Sequence, residues 1–427
     1  MKRLFVLVGS LLTVGILAFL GIAQAKDTLV VGVIGEPPQS ELQKQLISQF
    51  ESKYGVEIKW RAYTWVDIWD KVSVEVATGL APDVVSTSLN WKETELVAQG
   101  IFQPLDSLIA SDSTWDKGDF IPIVLAAGRF DGKQYLIPTV LGLSVYFYNK
   151  NLLAEAALNE PDVDFTWDQF LVMAKKLTRL DADGKFKVAG TWVHDWPTLF
   201  QTWVFSAGGK FFEPEGAFVP EKAVFNHPKT LAGFKFGADL VNVHRVAPAF
   251  GRDTSFGGEQ AFAQGWVGLL PYGAGLGRTL KETAPNIDFG VTVGPHHRSE
   301  SPVLTLDTGS SYGIPRSSKK AKLAWEFIKL MTSADMIKSS DLWNLPARYS
   351  VLQTYSETPV GRLILEVMRR SWPVRGTRVV SIERAWINPM VEAARKALHH
   401  GNTDYEVLLE QATEKANAAL KQWRDRK

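Results

Sequence analysis

Carboxylates set beside aromatic rings are the residues of this chain best placed to do chemistry. Asp67 and Asp70 lie around Trp65 and Trp69, Asp195 stands between His194 and Trp196, and Glu383 shortly precedes Trp386. An ionised carboxylate accepts hydroxyl protons, and an indole offers a flat apolar face to the C–H side of a sugar ring. The combination suits carbohydrate. Two acids converging across a cleft would hydrolyse it, whereas acids and indoles without that convergence would only hold it. His194-Asp195 reads as an acid–base pair, and with Trp196 beside it equally as part of a binding surface.

Other catalytic signatures are missing. The chain has no HExxH and no GxxxxGK[ST]. The turn Gly35-Glu36-Pro37-Pro38 after the first apolar strand lacks the three glycines that let a pyrophosphate approach the backbone. Tyr272 to Arg278 is glycine-rich but follows Pro271, and reads as a crossover loop. His296-His297 and His399-His400 are adjacent pairs whose rings point in different directions, so neither makes a shared metal site. With no cysteine there is no disulfide, thiolate metal site or thiol nucleophile. Neither cofactor nor metal is expected.

The fifteen tryptophans divide by context. Trp60, Trp325 and Trp423 occupy apolar positions of expected strands or helices and read as core. Trp167 stands just inside a helix start, where packing on its own turn is the simplest role. Trp65, Trp91, Trp192, Trp196 and Trp386 adjoin polar or turn residues, and are candidates for flat faces in a cleft or for further core.

The elements that must carry these residues alternate. Thr28 to Ile34 is a β-branched run, a helical spacing from Leu42 to Tyr54 stops at Gly55, and Val56 to Trp60 is a second strand. A βαβ opening implies a parallel sheet covered by helices. A helix over 65–78, a strand over 83–87 and a hairpin turning at Asp131-Gly132 follow. Leu143 to Lys150 is an aromatic strand, Thr166 caps the next helix, and helices are expected over 321–331 and 405–423. At 427 residues the chain is too large for one comfortable core, so two domains are expected.

Residues 1–25 read as a signal peptide: Lys2 and Arg3, an uncharged run to Ile22, and Ala23-Gln24-Ala25 as the cleavage pattern. The alternative is a retained anchor, since the run is long enough almost to span a bilayer. Lys and Arg number 47 against 46 Asp and Glu, which gives no bulk attraction to nucleic acid.

Several stretches together carry a resemblance. LISQFESKYGV (46–56), GLAPDV (79–84), FDGKQYLIP (130–138), YFYNK (146–150), FTWDQFLVMAKKL (165–177), FAQGWVGL (262–269) and SKKAKLAWEFIKLM (318–331) occur in the order seen in family 1 extracellular solute-binding proteins of ABC importers. The sequence resembles that group, which includes maltodextrin-binding proteins. The resemblance implies an α/β, two-lobed periplasmic-binding-protein fold of type II-like form, with ligand in the cleft. One lobe would hold residues 26–140 plus 271–331 and the other 141–270 plus 332–427, joined at short unstructured passages around 138–140 and 270–272. It further implies a secreted, periplasmic, monomeric, non-enzymatic protein that hands a sugar to permease subunits. A secreted hydrolase is the alternative. The implied ligand contacts are Glu36, Trp65, Ser88, Asn90, Trp91, Asp195, Trp196, Tyr272, Gly273, Asp307, Thr308, Gly309 and Trp386. Of these, Asn90, Asp195 and Asp307 would bond hydroxyls, and Trp65, Trp91, Trp196 and Trp386 would stack. Asn90-Trp91 stands where the maltodextrin pattern has an acid–base pair, and Gly142 where it has a carboxylate. The implied ligand is therefore a mono- or oligosaccharide other than maltose, with a polyol or sugar phosphate as alternatives.

Overall fold

A computed structural model describes residues 27–64, 67–89, 92–249, 251, 253–340, 343–377 and 383–426. The expected signal peptide lies outside them. Among the described residues no helix is long and apolar enough to cross a membrane.

The βαβ opening forms as its pattern dictates. Strand β1 (Asp27–Ile34) leads to helix α1 (Glu41–Tyr54), where Ser40 and Gln43 make a reciprocal capping box and Gly55, at φ 66°, ends the helix in the left-handed region. Strand β2 (Val56–Tyr63) pairs in parallel with the whole of β1. Helix α2 (Ile68–Thr78) starts three residues later than the sequence suggests and ends at Gly79; strand β3 (Val84–Ser88) then joins the other side of β1. The hairpin turns at Asp131 (φ 49°) and Gly132 (φ 76°), two consecutive left-handed residues as a type I′ turn requires. No atom lies within 4 Å of a Cβ added at Gly132, so alanine there meets only the backbone cost. Gly132→Ala is expected to cost about 1 kcal/mol, a fall of roughly 1 °C in Tm by calorimetry.

Strand β4 (Leu136–Asn149) is the spine of the molecule. Its residues are buried almost throughout, as expected for a strand covered on both faces. Beyond it come α3 (Trp167–Leu177), capped by Thr166 as expected, β5 (Phe186–Thr191), α4 (Pro197–Ser206), α5 (Pro228–Asn242), α6 (Gly258–Ala263), β6 (Val267–Gly273), β7 (Phe289–Thr292) and β8 (Leu304–Gly313). Helices α7 (Ala321–Met331), α8 (Asn388–Leu398) and α9 (Tyr405–Arg424) complete the set used below.

The strands form one sheet in the order β2-β1-β3-β8-β4-β6-β5, with Arg179–Leu180 at its far edge and β7 also on β4. Strand β8 pairs antiparallel with both β3 and β4. The near half of β4 meets β8, and its far half meets β6 and β7. The passages 138–140 and 270–272, expected as unstructured handovers, are therefore strand residues within β4 and β6. Pro138 is tolerated because the β4–β8 register shifts beside it, where the ladder does not need its missing N–H.

Two apolar cores flank this spine. The first includes Leu29, Val72, Val84, Trp325 and Phe327, with Met336, Leu345, Leu352 and Ile364 also packed into it; the second includes Phe170, Trp203, Phe234, Trp386 and Leu409. Trp325 is core as expected, its Nε1 donating to Asp112 at 2.8 Å, whereas Trp60 and Trp423 are only half-buried. Trp167 does not pack on its own turn. Its ring lies flat on Phe236 of α5, 4.1 Å between centroids, and its Nε1 donates to Ser206.

Candidate functional site

Strand direction locates the site. Strands β1, β2 and β3 are parallel and end at Ile34, Tyr63 and Ser88; β5 and β6 are parallel and end at Thr191 and Gly273. Between these groups run β8 and β4. Ser310 pairs with Ser88 on one side and Val140 on the other, while Ser144 lies between Thr305 and Gly273. Carboxyl ends of parallel strands, separated by antiparallel crossing strands, make the crevice where open α/β sheets place ligands.

A cavity of about 270 Å³ opens at the ends of β1 and β3. Ser86, Thr139, Ser310 and Tyr312 supply its polar wall, with Glu36 exposed at the rim. Burial pushes the Tyr312 phenol up to about 12, against a bond to Ser86, so it stays a neutral hydroxyl. Ser88 is fully buried in the same strand row, and its Oγ has no hydrogen-bond partner among the described residues.

A second cavity, about 320 Å³, opens where β5 runs into α4. Trp192, His194, Asp195 and Trp196 come from that junction, Tyr272 from the end of β6, and Glu259 from the first turn of α6. The junction is fixed by Pro197 at the first position of α4, and Trp196 occupies the cap with extended backbone. Tyr272 sits edge-on to His194, 5.5 Å between ring centroids. Asp195 Oδ2 accepts from Arg395 Nε at 2.8 Å and lies 3.5 Å from His399 Nε2, so helix α8 holds this carboxylate in place. Burial pushes the His194 imidazole down to about 4, outweighing the pull of Asp195 and of its bond to Pro271.

That depression has a sign. A histidine whose folded pKa lies below its unfolded value contributes its full share of stability above about pH 6.5, and the share is lost as pH falls toward 4. The loss is on the order of 3 kcal/mol. Thermal midpoints measured from pH 7 to 4 are expected to fall more steeply in the native protein than in His194→Gln; parallel curves would contradict this.

The sequence-derived candidates separate in space. Asp195, Trp196 and Tyr272 share the second cavity, Glu36 stands at the rim of the first, and Ser88 lies in its strand row. Gly273 ends β6 opposite Ser144. Asp307 and Thr308 are placed by their backbone in β8, where the register to β4 is irregular. Gly309 is a packing residue: a Cβ there would stand 2.7 Å from the Val140 carbonyl, and its own carbonyl accepts from the Leu89 N–H. Trp65, Asn90 and Trp91 lie outside the described residues. Trp386 is not a cleft platform. It is 1% exposed, edge-on to Phe211 in the second core, because the helical turn that carries it is covered by α8 and α9. Sequence reasoning missed Glu259 and the Arg395–His399 support, and no local pattern marks them. Among the described residues no group of three His, Asp or Glu side chains is arranged to hold a metal ion.

Comparison with known proteins adds a family and a fold. Residues 35–338 match the family model of bacterial extracellular solute-binding proteins. Binding proteins of Brucella abortus are 24% identical over 292 residues, and the alignment spans 66% of their length, just under two thirds. The diacetylchitobiose binding protein DasA of Streptomyces coelicolor is 27% identical over 314 residues, covering 72% of this chain and 70% of its own. Among solved structures, the ABC substrate-binding protein Lmo0181 of Listeria monocytogenes, in complex with cycloalternan, superposes with a TM-score of 0.79. It is 21% identical and covers 93% of this chain and 99% of its own. The fold is thus the two-lobed one of periplasmic binding proteins.

Proposed function

The chain belongs to the bacterial extracellular solute-binding proteins, and from that premise we propose that it is the substrate-binding component of an ABC importer for a sugar or oligosaccharide. The observation that carries this reading is the second cavity. Two aromatic rings, Trp196 and Tyr272, stand with the carboxylates of Asp195 and Glu259 around it, the rings from the carboxyl ends of β5 and β6. Rings stack on the C–H faces of a pyranose, and the carboxylates accept hydrogen bonds from its hydroxyls.

The hydroxyl-lined first cavity then supplies the opposite wall, and closure bends β4 and β8, which join the two groups of strands. In this proposal one lobe is built around β1–β3 and the other around α3–α5, β5, β6, α8 and α9. Glu36, Ser88, Asn90, Trp91, Asp307 and Thr308 are proposed to complete the contacts with Asp195, Trp196 and Tyr272, and Trp65 to flank them. The protein works as a monomer outside the cytoplasmic membrane, its leader cleaved after Ala25, and releases its sugar unchanged to the permease subunits. DasA, a diacetylchitobiose binding protein, and Lmo0181, in complex with cycloalternan, support an oligosaccharide ligand.

A thermal-shift screen against mono- and oligosaccharides, polyols, sugar phosphates and amino acids tests this reading. At least one sugar is expected to raise Tm and change tryptophan fluorescence. A response to amino acids alone, or steady release of hydrolysis products, would contradict it.

A further inference from the structure

We infer that Lys92 and Glu383 form an electrostatic latch at the edge of the cleft, a salt-sensitive ion pair that draws the two lobes together and sets how often they stand apart. The inference rests on the two-lobed closure proposed above and names a contact that biases it.

Each partner is anchored in a different core. Strand β3 ends at Ser88, and the chain then enters a short helix, Glu93–Ala98, with Lys92 immediately before its first turn. Leu96 and Val97 of that helix belong to the first core. Glu383 opens the helical turn Glu383–Ile387, whose Ala385, Trp386 and Ile387 belong to the second. Between them Lys92 Nζ stands 2.9 Å from Glu383 Oε1, and Ala98 continues the contact by packing against the second core. The pair therefore spans two separately packed bodies.

Other charges gather at the same seam. Glu95 lies on the helix that follows Lys92, Asp70 on α2, and Arg384 next to Glu383. Burial, followed by the Glu383 charge, pushes the Glu95 carboxyl above its ordinary value, while Lys92 and Arg384 pull it down. Across the seam Lys92 attracts Glu383 and Arg384 attracts Glu95, whereas Glu95 and Glu383 repel. The Lys92 side chain is 20% exposed and that of Glu383 44%, so water and salt weaken the pair without abolishing it. A pair of this kind shifts an equilibrium by about 1.5- to fivefold. Starting from an even balance, that leaves about 60–83% of molecules latched and the rest open. Both forms stay populated, which a carrier that loads and unloads requires.

The test measures the lobes directly in the sugar-free protein. The chain has no cysteine, so spin labels attach only where one is introduced: Thr78→Cys in α2 and Glu410→Cys in α9, both exposed. Double electron–electron resonance then reads the ratio of shorter to longer interlobe distances. Glu383→Lys, which sets like charges face to face, is expected to lower that ratio at least threefold with an unchanged circular dichroism spectrum. Combining it with Lys92→Glu exchanges the two charges and is expected to restore the ratio, which mere loss of packing would not allow. Raising salt from about 20 mM to about 500 mM is expected to lower the ratio in the native protein and not in Glu383→Lys. A ratio unmoved by Glu383→Lys, a loss that the exchange does not restore, or a native ratio indifferent to salt would overturn the latch and leave the sugar-binding reading standing. A thermal-shift screen with no response to sugars would overturn that reading, while the distances would still report on the latch.

Discussion

Trp196→Ala is expected to lower sugar affinity by roughly 30- to 1,000-fold with little loss of fold. Burying an aromatic side chain against a ligand is worth about 1.5–3 kcal/mol, and a well-oriented ring contact adds about 0.5–1.5 kcal/mol. A total near 2–4 kcal/mol gives that range. The structure explains why the fold should survive. Trp196 makes no side-chain capping bond to α4, whose start is set by Pro197 and by the extended backbone before it. Part of the indole packs on the second core and part faces the cavity. Trp196→Phe, which keeps a smaller flat face, should recover much of the affinity. Calorimetric titration of both variants checks this; equal affinity in Trp196→Ala and the native protein would remove the stacking face from the account.

Trp386→Ala should do the reverse. Its indole is 1% exposed among Phe211 and the helices α8 and α9, so truncation leaves a cavity in a packed core. Such losses cost about 3–5 kcal/mol. In a protein of this size that is a fall of roughly 4–6 °C in Tm. Trp386→Phe should cost much less, partly because the buried Nε1 has no hydrogen-bond partner among the described residues and its removal relieves an unsatisfied donor. Below the lowered midpoint, sugar affinity should match that of the native protein. A large loss of affinity without loss of Tm would make Trp386 a ligand contact instead.

These two tryptophans show where sequence reading succeeds and where it stops. Both adjoin polar residues and neither lies on a clean apolar stripe, so composition and spacing treat them alike. What separates them is tertiary: Trp196 stands at the mouth of a β-to-α junction, while Trp386 is roofed by helices that follow it in the chain. Local signals were legible to the residue. Gly55 ends α1, Thr166 caps α3, and Asp131-Gly132 makes the expected turn, because each effect acts within one turn of backbone.

Long-range pairing was not legible. Pro138 and Pro271 suggested breaks, yet both lie within strands of one sheet, where neighbouring strands supply the order that the local residues do not. The candidate site shows the same division. Asp195 and Trp196 were visible as a carboxylate beside an indole, Tyr272 was implied only by the family resemblance, and the three do meet. Glu259 arrives from another helix, and the Arg395 that holds Asp195 is 200 residues away in sequence. No spacing rule links such partners.

The central claim is that the two groups of strands close on a sugar and release it unchanged. Isothermal titration calorimetry against an oligosaccharide panel, with the bound ligand recovered and weighed by mass spectrometry, tests it most directly. The account predicts one site per chain, a dissociation constant near micromolar for at least one sugar, about 8 kcal/mol of binding free energy, and full recovery of that sugar intact. No binding to any sugar on the panel, or recovery of cleaved products, would contradict it.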